Sequence, residues 1–294
     1  MAQDSLSPAY EKDGRRQHTS VDLAWFAFVL LRPGRVDRHQ HEIFAALMEL
    51  DYTQFRFSLF RVTIAGHSIE FMADADPKDA IMIEGFEKVG CDISLPQDKF
   101  NQDVAENIRC GMVYDAVPLL CDRIASMLKD AGTLERCKLL ELGAGCGLPG
   151  LVAAKTGAQV VLSDYHPAAV CLLSESVRAN RLQQAADVKQ LRWGELAVGW
   201  LRDFDLVVAS DVLYYAESLI PFMQTAQAAL RAGGILLMAH KERSLVQLAD
   251  VLEAAANFGF KQQQGPTRLD PGTLGIFEFV LDHSSRAMCT PESE

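Results

Sequence analysis

Lys138-Leu139-Leu140-Glu141-Leu142-Gly143-Ala144-Gly145-Cys146-Gly147-Leu148-Pro149-Gly150 is the stretch on which the fold turns. Five residues ending at Leu142 read as a short buried strand. Gly143, Gly145 and Gly147 then let the chain turn sharply before a helix begins near Leu148. Glycine suits such a loop because it adopts positive φ without strain and lets a ligand approach the backbone. The helix N-terminus beyond it favours an anion. A second strand, at 159–163, leads to Asp164, 21 residues after Gly143. A carboxylate at that place can accept hydrogen bonds from two ribose hydroxyls.

Three readings of the loop follow. Gly145 to Gly150 matches the dinucleotide pattern G-x-G-x-x-G, but that match starts two residues beyond the strand and puts Pro149 at the start of the helix. The second reading is an S-adenosylmethionine site. There the helix N-terminus meets the methionine carboxylate, and Glu141 helps receive the ammonium. The third is a structural glycine turn, with Asp164 as a helix cap ahead of Pro167. Glu141 suits a bound amine better than a pyrophosphate, which favours the second.

Working outward, strands and helices alternate. A helix is expected over 113–128, where Val113, Ala116, Val117, Leu120, Ile124, Met127 and Leu128 recur at helical spacing. Helices are also expected near 148–156, from Pro167, near 217–231 up to Gly233-Gly234, and over 244–257. Strands are expected at 138–142, 159–163, 188–192, 204–209, 235–239, 260–264 and 275–281. This pattern predicts an α/β fold: a Rossmann-like, seven-stranded, mostly parallel sheet with helices on both faces. The last two strands have no helix between them, which implies an antiparallel insertion at the edge. Upstream, 55–72 alternates as a hairpin around Gly66, and 75–105, rich in Asp, Lys and Pro, reads as a loose connection. The expected organisation is a disordered 1–20, an extension with a hairpin over 21–105, a catalytic domain over 106–283 and a disordered 284–294.

Composition narrows the function. The chain of 294 residues is 49% hydrophobic and 23% charged, as expected for a protein that buries a full core, and its net charge of −11 argues against nonspecific nucleic acid binding. Seven scattered cysteines with no C-x-x-C pair point to a reducing compartment, without a disulfide framework or a cysteine zinc site. The apolar run Val21–Leu31 contains Asp22 and is too short to span a bilayer. Neither a membrane nor a nucleic acid partner is expected, and the expected location is the cytoplasm, with the nucleus as the other compartment.

Further along, Asp211-Val212-Leu213-Tyr214 follows the apolar strand Leu206-Val207-Val208-Ala209, at the carboxyl end of a central strand where open sheets of this type hold their reactive centre. A carboxylate and an aromatic wall there can orient an amine; alternatively Asp211 caps a loop and Tyr214 is buried. Trp193 could lie beside an adenine or belong to the core. His39 and His41 lack a third ligand, so no metal is expected. His240 reads as a structural histidine.

The chain resembles methyltransferase family 16, the seven-strand protein-lysine methyltransferases, over roughly 107–281. The resemblance rests on Glu141 to Gly150, on Leu162-Ser163-Asp164, on Leu191-Arg192-Trp193-Gly194 and on Phe204 to Tyr214. It implies an S-adenosylmethionine cofactor contacted by Gly143, Ala144, Gly145, Asp164, Trp193 and Ser210. It also implies Asp211 and Tyr214 as the residues that handle the substrate amine, and a protein presenting a lysine as the partner. The family's tryptophan-aspartate pair ahead of the first strand is Tyr114-Asp115 here, so Tyr114 would cover the cofactor. Another amine (a small molecule, a protein N-terminus, a histidine) and a catalytically silent cofactor-binding scaffold are the alternatives.

Overall fold

The computed structural model describes residues 55–75, 81, 83–95, 111–130, 137–242, 244–268 and 274–282. The expectations for 1–20, for Val21–Leu31, for His39 and His41 and for 284–294 lie outside these residues. In chain order come strands β1 (Phe55–Ile64), β2 (His67–Asp74) and β3 (Phe86–Leu95), helix α1 (Val117–Asp130), β4 (Lys138–Leu142), α2 (Leu148–Thr156), β5 (Gln159–Asp164) and α3 (Pro167–Ala179). They continue as β6 (Ala186–Gln190), β7 (Phe204–Ser210), α4 (Ala216–Ala229), β8 (Leu230–Lys241), α5 (Leu248–Asn257), β9 (Phe260–Arg268) and β10 (Leu274–Leu281).

The large sheet has the order β6-β5-β4-β7-β8-β10-β9. β4 pairs in parallel with β5 and β7, and β10 runs antiparallel between β8 and β9. The central strands are apolar on both faces because helices cover both. Neighbouring residues of β4 serve opposite sides: Leu139 packs with α1 and α2, Leu140 with α4. The winding reverses between β4 and β7, which opens a crevice beyond their carboxyl ends.

Helix α2 is buried from Leu148 to Ala154, which an amphipathic surface helix could not be. Its outer side is covered by the N-terminal sheet, order β2-β1-β3, whose Phe60, Val62, Ile69 and Phe71 join the same core. The β1–β2 hairpin turns through Ala65 (φ 50°) and Gly66 (φ 78°), the two positive angles of a type I′ hairpin turn. Strand β2 is an edge, and α3 satisfies it. Ser176 Oγ accepts from the Met72 amide at 3.0 Å, and Asn180 Oδ1 accepts from the Glu70 amide at 3.0 Å. The small sheet is thereby tied to the large domain through backbone groups.

Several boundaries differ from the sequence expectation: the helix expected from 113 begins at Val117, with Val113 bridged to Ile81 instead, and the helix expected from 244 begins at Leu248. The connection over 75–105 contains β3; the exposed Glu87 and Lys88 and the glycine at 90 mask its strand signal. The strand near 188–192 is Ala186–Gln190, so Leu191 to Trp193 already belong to the following loop. Helix α4 stops at Ala229, before the glycine pair, because Leu230 pairs with Phe204 as the start of β8.

Candidate active site

A cavity of about 480 Å³ lies at the carboxyl ends of β4, β5 and β7, within the usual size range of small-ligand sites, ~300–1,000 Å³. Its lining includes Tyr114, Glu141, Gly143, Ala144, Gly145, Asp164, Trp193, Ser210 and Tyr214. Gly147 and Asp211, also singled out from the sequence, are not among the lining residues.

The glycine loop divides its work. Gly143 (φ 67°) faces the cavity, and a Cβ there would lie 3.0 Å from Val212 Cγ1 and 3.2 Å from the Trp193 ring. Gly147 (φ 73°) is the N-cap of α2, and a Cβ on it would lie 2.5 Å from Leu173 Cδ2 of α3. Its lack of a side chain serves helix packing, which is why it is absent from the lining.

Glu141 is 1% exposed and its Oε2 accepts from the Gly150 amide at 2.8 Å. That amide comes from the last glycine of the dinucleotide-like match, and it turns toward a carboxyl group. Burial pushes Glu141 up to about 8; the Gly150 bond opposes this, and nearby Asp164 adds to it. Asp164 is 8% exposed, with Oδ2 accepting from the Gly145 amide and Oδ1 from the His166 amide, each at 3.0 Å. Burial raises its pKa as well, against those backbone bonds. The glycine loop is thus held by the carboxylate at the end of the next strand.

The cap of α3 falls to His166, whose Nδ1 accepts from the Ala168 amide at 3.1 Å. An accepting Nδ1 requires the neutral ring with its proton on Nε2, and burial accordingly lowers His166 to about 4.

On the opposite side Tyr114 and Tyr214 stand with ring centroids 6.3 Å apart, tilted by 49°. Tyr114 precedes α1 and Tyr214 lies between β7 and α4, so the aromatic pair joins two distant parts of the chain. Trp193 meets Phe222 of α4 edge-on at 5.1 Å. It lines the cavity and also packs against the core.

Asp211 is turned toward the backbone of β8. It is 1% exposed at φ 54°, its amide donates to the Ala239 carbonyl at 2.8 Å, and its Oδ1 accepts from the Lys241 amide at 3.1 Å. It staples the end of β7 to β8, and its neighbours Ser210 and Val212 line the cavity. Aspartate tolerates the left-handed conformation better than most side chains do.

Sequence reading missed Tyr165, His166, Arg192, Tyr215 and Pro221, all of which line the cavity. Arg192 lies over the Tyr165 ring at 5.6 Å. Tyr165 and His166 follow Asp164 directly, so their place at the strand end was a usable signal. Pro221 carried none, because a proline inside a helical run says nothing about which face it presents. Among the described residues no His/Cys/Asp/Glu group could hold a metal ion, and no helix is long and apolar enough to cross a membrane.

A glycine loop after the first parallel strand, an acid after the second and a cavity at the winding reversal define the Rossmann-like methyltransferase class. A model of the lysine methyltransferase family matches residues 95–254, and the chain belongs to that family. Protein N-lysine methyltransferase METTL21A of Mus musculus is 35% identical over 139 residues, 45% of this chain and 61% of that protein. The Danio rerio METTL21A is 33% identical over 157 residues, 51% and 67% of the two chains. Histone-arginine methyltransferase METTL23 of Homo sapiens is 38% identical over 93 residues, 30% of this chain and 47% of that one. The chain thus spans about three fifths to two thirds of the METTL21A relatives. The T. thermophilus 16S rRNA N2 G1207 methyltransferase shares the fold, with a TM-score of 0.52 at 22% identity over 76% of this chain and 50% of that one.

Proposed function

We propose that this protein transfers a methyl group from S-adenosylmethionine to a lysine ε-amine on a protein partner, acting in the cytoplasm or nucleus. The observation that carries the reading is the single cavity in which the glycine loop, two buried carboxyl groups and the Tyr114–Tyr214 pair converge. Family membership and the lysine activity in the METTL21A names support it.

The cavity fits that cofactor. Ser210 Oγ is buried, makes no hydrogen bond among the described residues and belongs to a cavity-lining residue. Gly143 leaves open the space that a Cβ would take. Glu141 would receive an ammonium, Asp164 the ribose hydroxyls, and Trp193 and Tyr114 would cover the flat surfaces. The bound cofactor supplies an electrophilic methyl carbon on a sulfonium.

The remaining work falls to the protein. A lysine near pKa 10.4 is almost wholly protonated at neutral pH, so the mouth must accept it as the neutral amine. The faces of Tyr114 and Tyr214 wall the side chain in, and aromatic faces stabilise the positive charge that develops on nitrogen. Asp211 holds the Tyr214 loop against β8. Rate enhancement in such a site comes largely from alignment and exclusion of water.

The test is transfer of labelled methyl groups from S-adenosylmethionine into lysate proteins, followed by mass spectrometry of the labelled residue. Label on lysine is expected. Label on arginine, histidine, a protein N-terminus or RNA would redirect the assignment, and no label would favour a cofactor-binding scaffold.

A further inference from the structure

The loop that carries Trp193 is anchored from outside the cavity. Thr225 lies on the buried side of α4 and is fully buried. Its hydroxyl donates to the Pro221 carbonyl one turn earlier, at 2.7 Å, and accepts from the Gly194 amide at 2.9 Å. A threonine hydroxyl bonded back to its own helix is common; one that also accepts from a separate loop has its orientation fixed by both partners. Gly194 takes φ 90°, and a Cβ there would lie 3.6 Å from the Pro221 Cβ. The residue before it is Trp193, whose ring meets Phe222 edge-on and approaches the Gly143 side of the cavity.

We propose that Thr225 is a positioning residue for the cofactor cavity, acting through the Gly194 amide to set the Trp193 ring. This rests on the cofactor reading above. The same helix follows Tyr214 and Tyr215 and contributes Pro221 to the lining. Helix α4 therefore fixes the aromatic surface on the cofactor side and the start of the substrate wall together. Valine has the shape of threonine but neither donates nor accepts, whereas serine keeps the hydroxyl, so the two substitutions separate the hydrogen bonds from the packing.

The test is titration of the full chain with S-adenosylhomocysteine, read by calorimetry and by tryptophan fluorescence, with Trp193→Phe identifying the part of the signal that Trp193 supplies. Thr225→Val is expected to weaken binding by roughly 3- to 10-fold, the range for losing the one hydrogen bond that reaches the Trp193 loop, and to reduce the Trp193 signal. Thr225→Ser should stay within about 2-fold of the wild type, as for a retained hydrogen bond. Gly194→Ala, which strains the same turn from the loop side, should reproduce the valine result and keeps the test open if Thr225→Val does not fold. Wild-type affinity and an unchanged fluorescence response in folded Thr225→Val or Gly194→Ala would overturn the proposal. A wild-type protein that does not respond to S-adenosylhomocysteine would overturn the cofactor reading instead.

Discussion

Glu141→Gln isolates the most strongly perturbed acid of the cavity. The carboxyl is buried, accepts from the Gly150 amide, and sits at about 8 against an ordinary 4.5. A raised acid is held protonated in the folded protein while the unfolded chain has already ionised. Stability therefore falls as pH rises through the window from 4.5 to about 8 and levels off above it. At about 1.4 kcal/mol per pH unit that gap corresponds to roughly 5 kcal/mol at most. Glutamine keeps an acceptor for Gly150 and cannot ionise, so the variant lacks this loss. Any fixed cost of the substitution cancels when the two proteins are compared at two pH values. In a chain of this size 1 kcal/mol moves Tm by about 2–4 °C. The melting temperature of the variant relative to wild type should therefore rise by some 5–15 °C between pH 5 and pH 8.5. Calorimetric melts of the ligand-free proteins measure it, and a difference that does not change with pH would refute the reasoning. A bound ammonium should reverse the preference. Binding of S-adenosylhomocysteine at pH 7 should then release a fraction of a proton from wild type and less from the variant, visible as a dependence of binding enthalpy on buffer.

Asp211→Asn should hold its melting temperature near wild type, because asparagine keeps an acceptor for the Lys241 amide and tolerates positive φ. Asp211→Ala should lose about 1–3 kcal/mol through the buried amide left unpaired, and turnover per folded molecule measured on both tells whether the charge itself matters. Gly147→Ala should cost about 1–3 kcal/mol by overpacking against Leu173, read as a lower Tm with S-adenosylhomocysteine affinity little changed. Gly143→Val should abolish binding by filling the space beside Trp193 and Val212, and should also lower Tm because a β-branched residue resists positive φ. A chain beginning at residue 105 should fail to give a cooperative melt, since it lacks the sheet that covers α2 and exposes Leu151 and Val152.

The alternation of strands and helices in the large sheet was legible because most of its strands are short apolar runs with helices between them, and turn residues mark most of their ends. The place of Glu141, Gly143 and Asp164 on the cavity was legible for a similar reason: they sit where strands stop, a position that sequence reveals. What sequence could not reveal is direction. Asp211 stands at the carboxyl end of β7, yet its side chain turns to the β8 backbone, an orientation set by a positive φ that no motif encodes. Gly147 belongs to the same repeat as Gly143 but faces another helix. β3 was hidden because the consecutive exposed charges Glu87 and Lys88 on this edge strand break the alternation that would otherwise show. Thr225 and Pro221 lie one turn apart in α4, and only the fold brings Gly194 against them.

The central claim is that this cavity holds S-adenosylmethionine, and calorimetric titration with S-adenosylhomocysteine and with NADH tests it most directly. Saturable binding of S-adenosylhomocysteine is expected, weakened by about 1.5–3 kcal/mol in Asp164→Ala, the range for hydrogen bonds to a charged group, with no response to NADH. Saturable NADH binding with no response to S-adenosylhomocysteine would contradict the account.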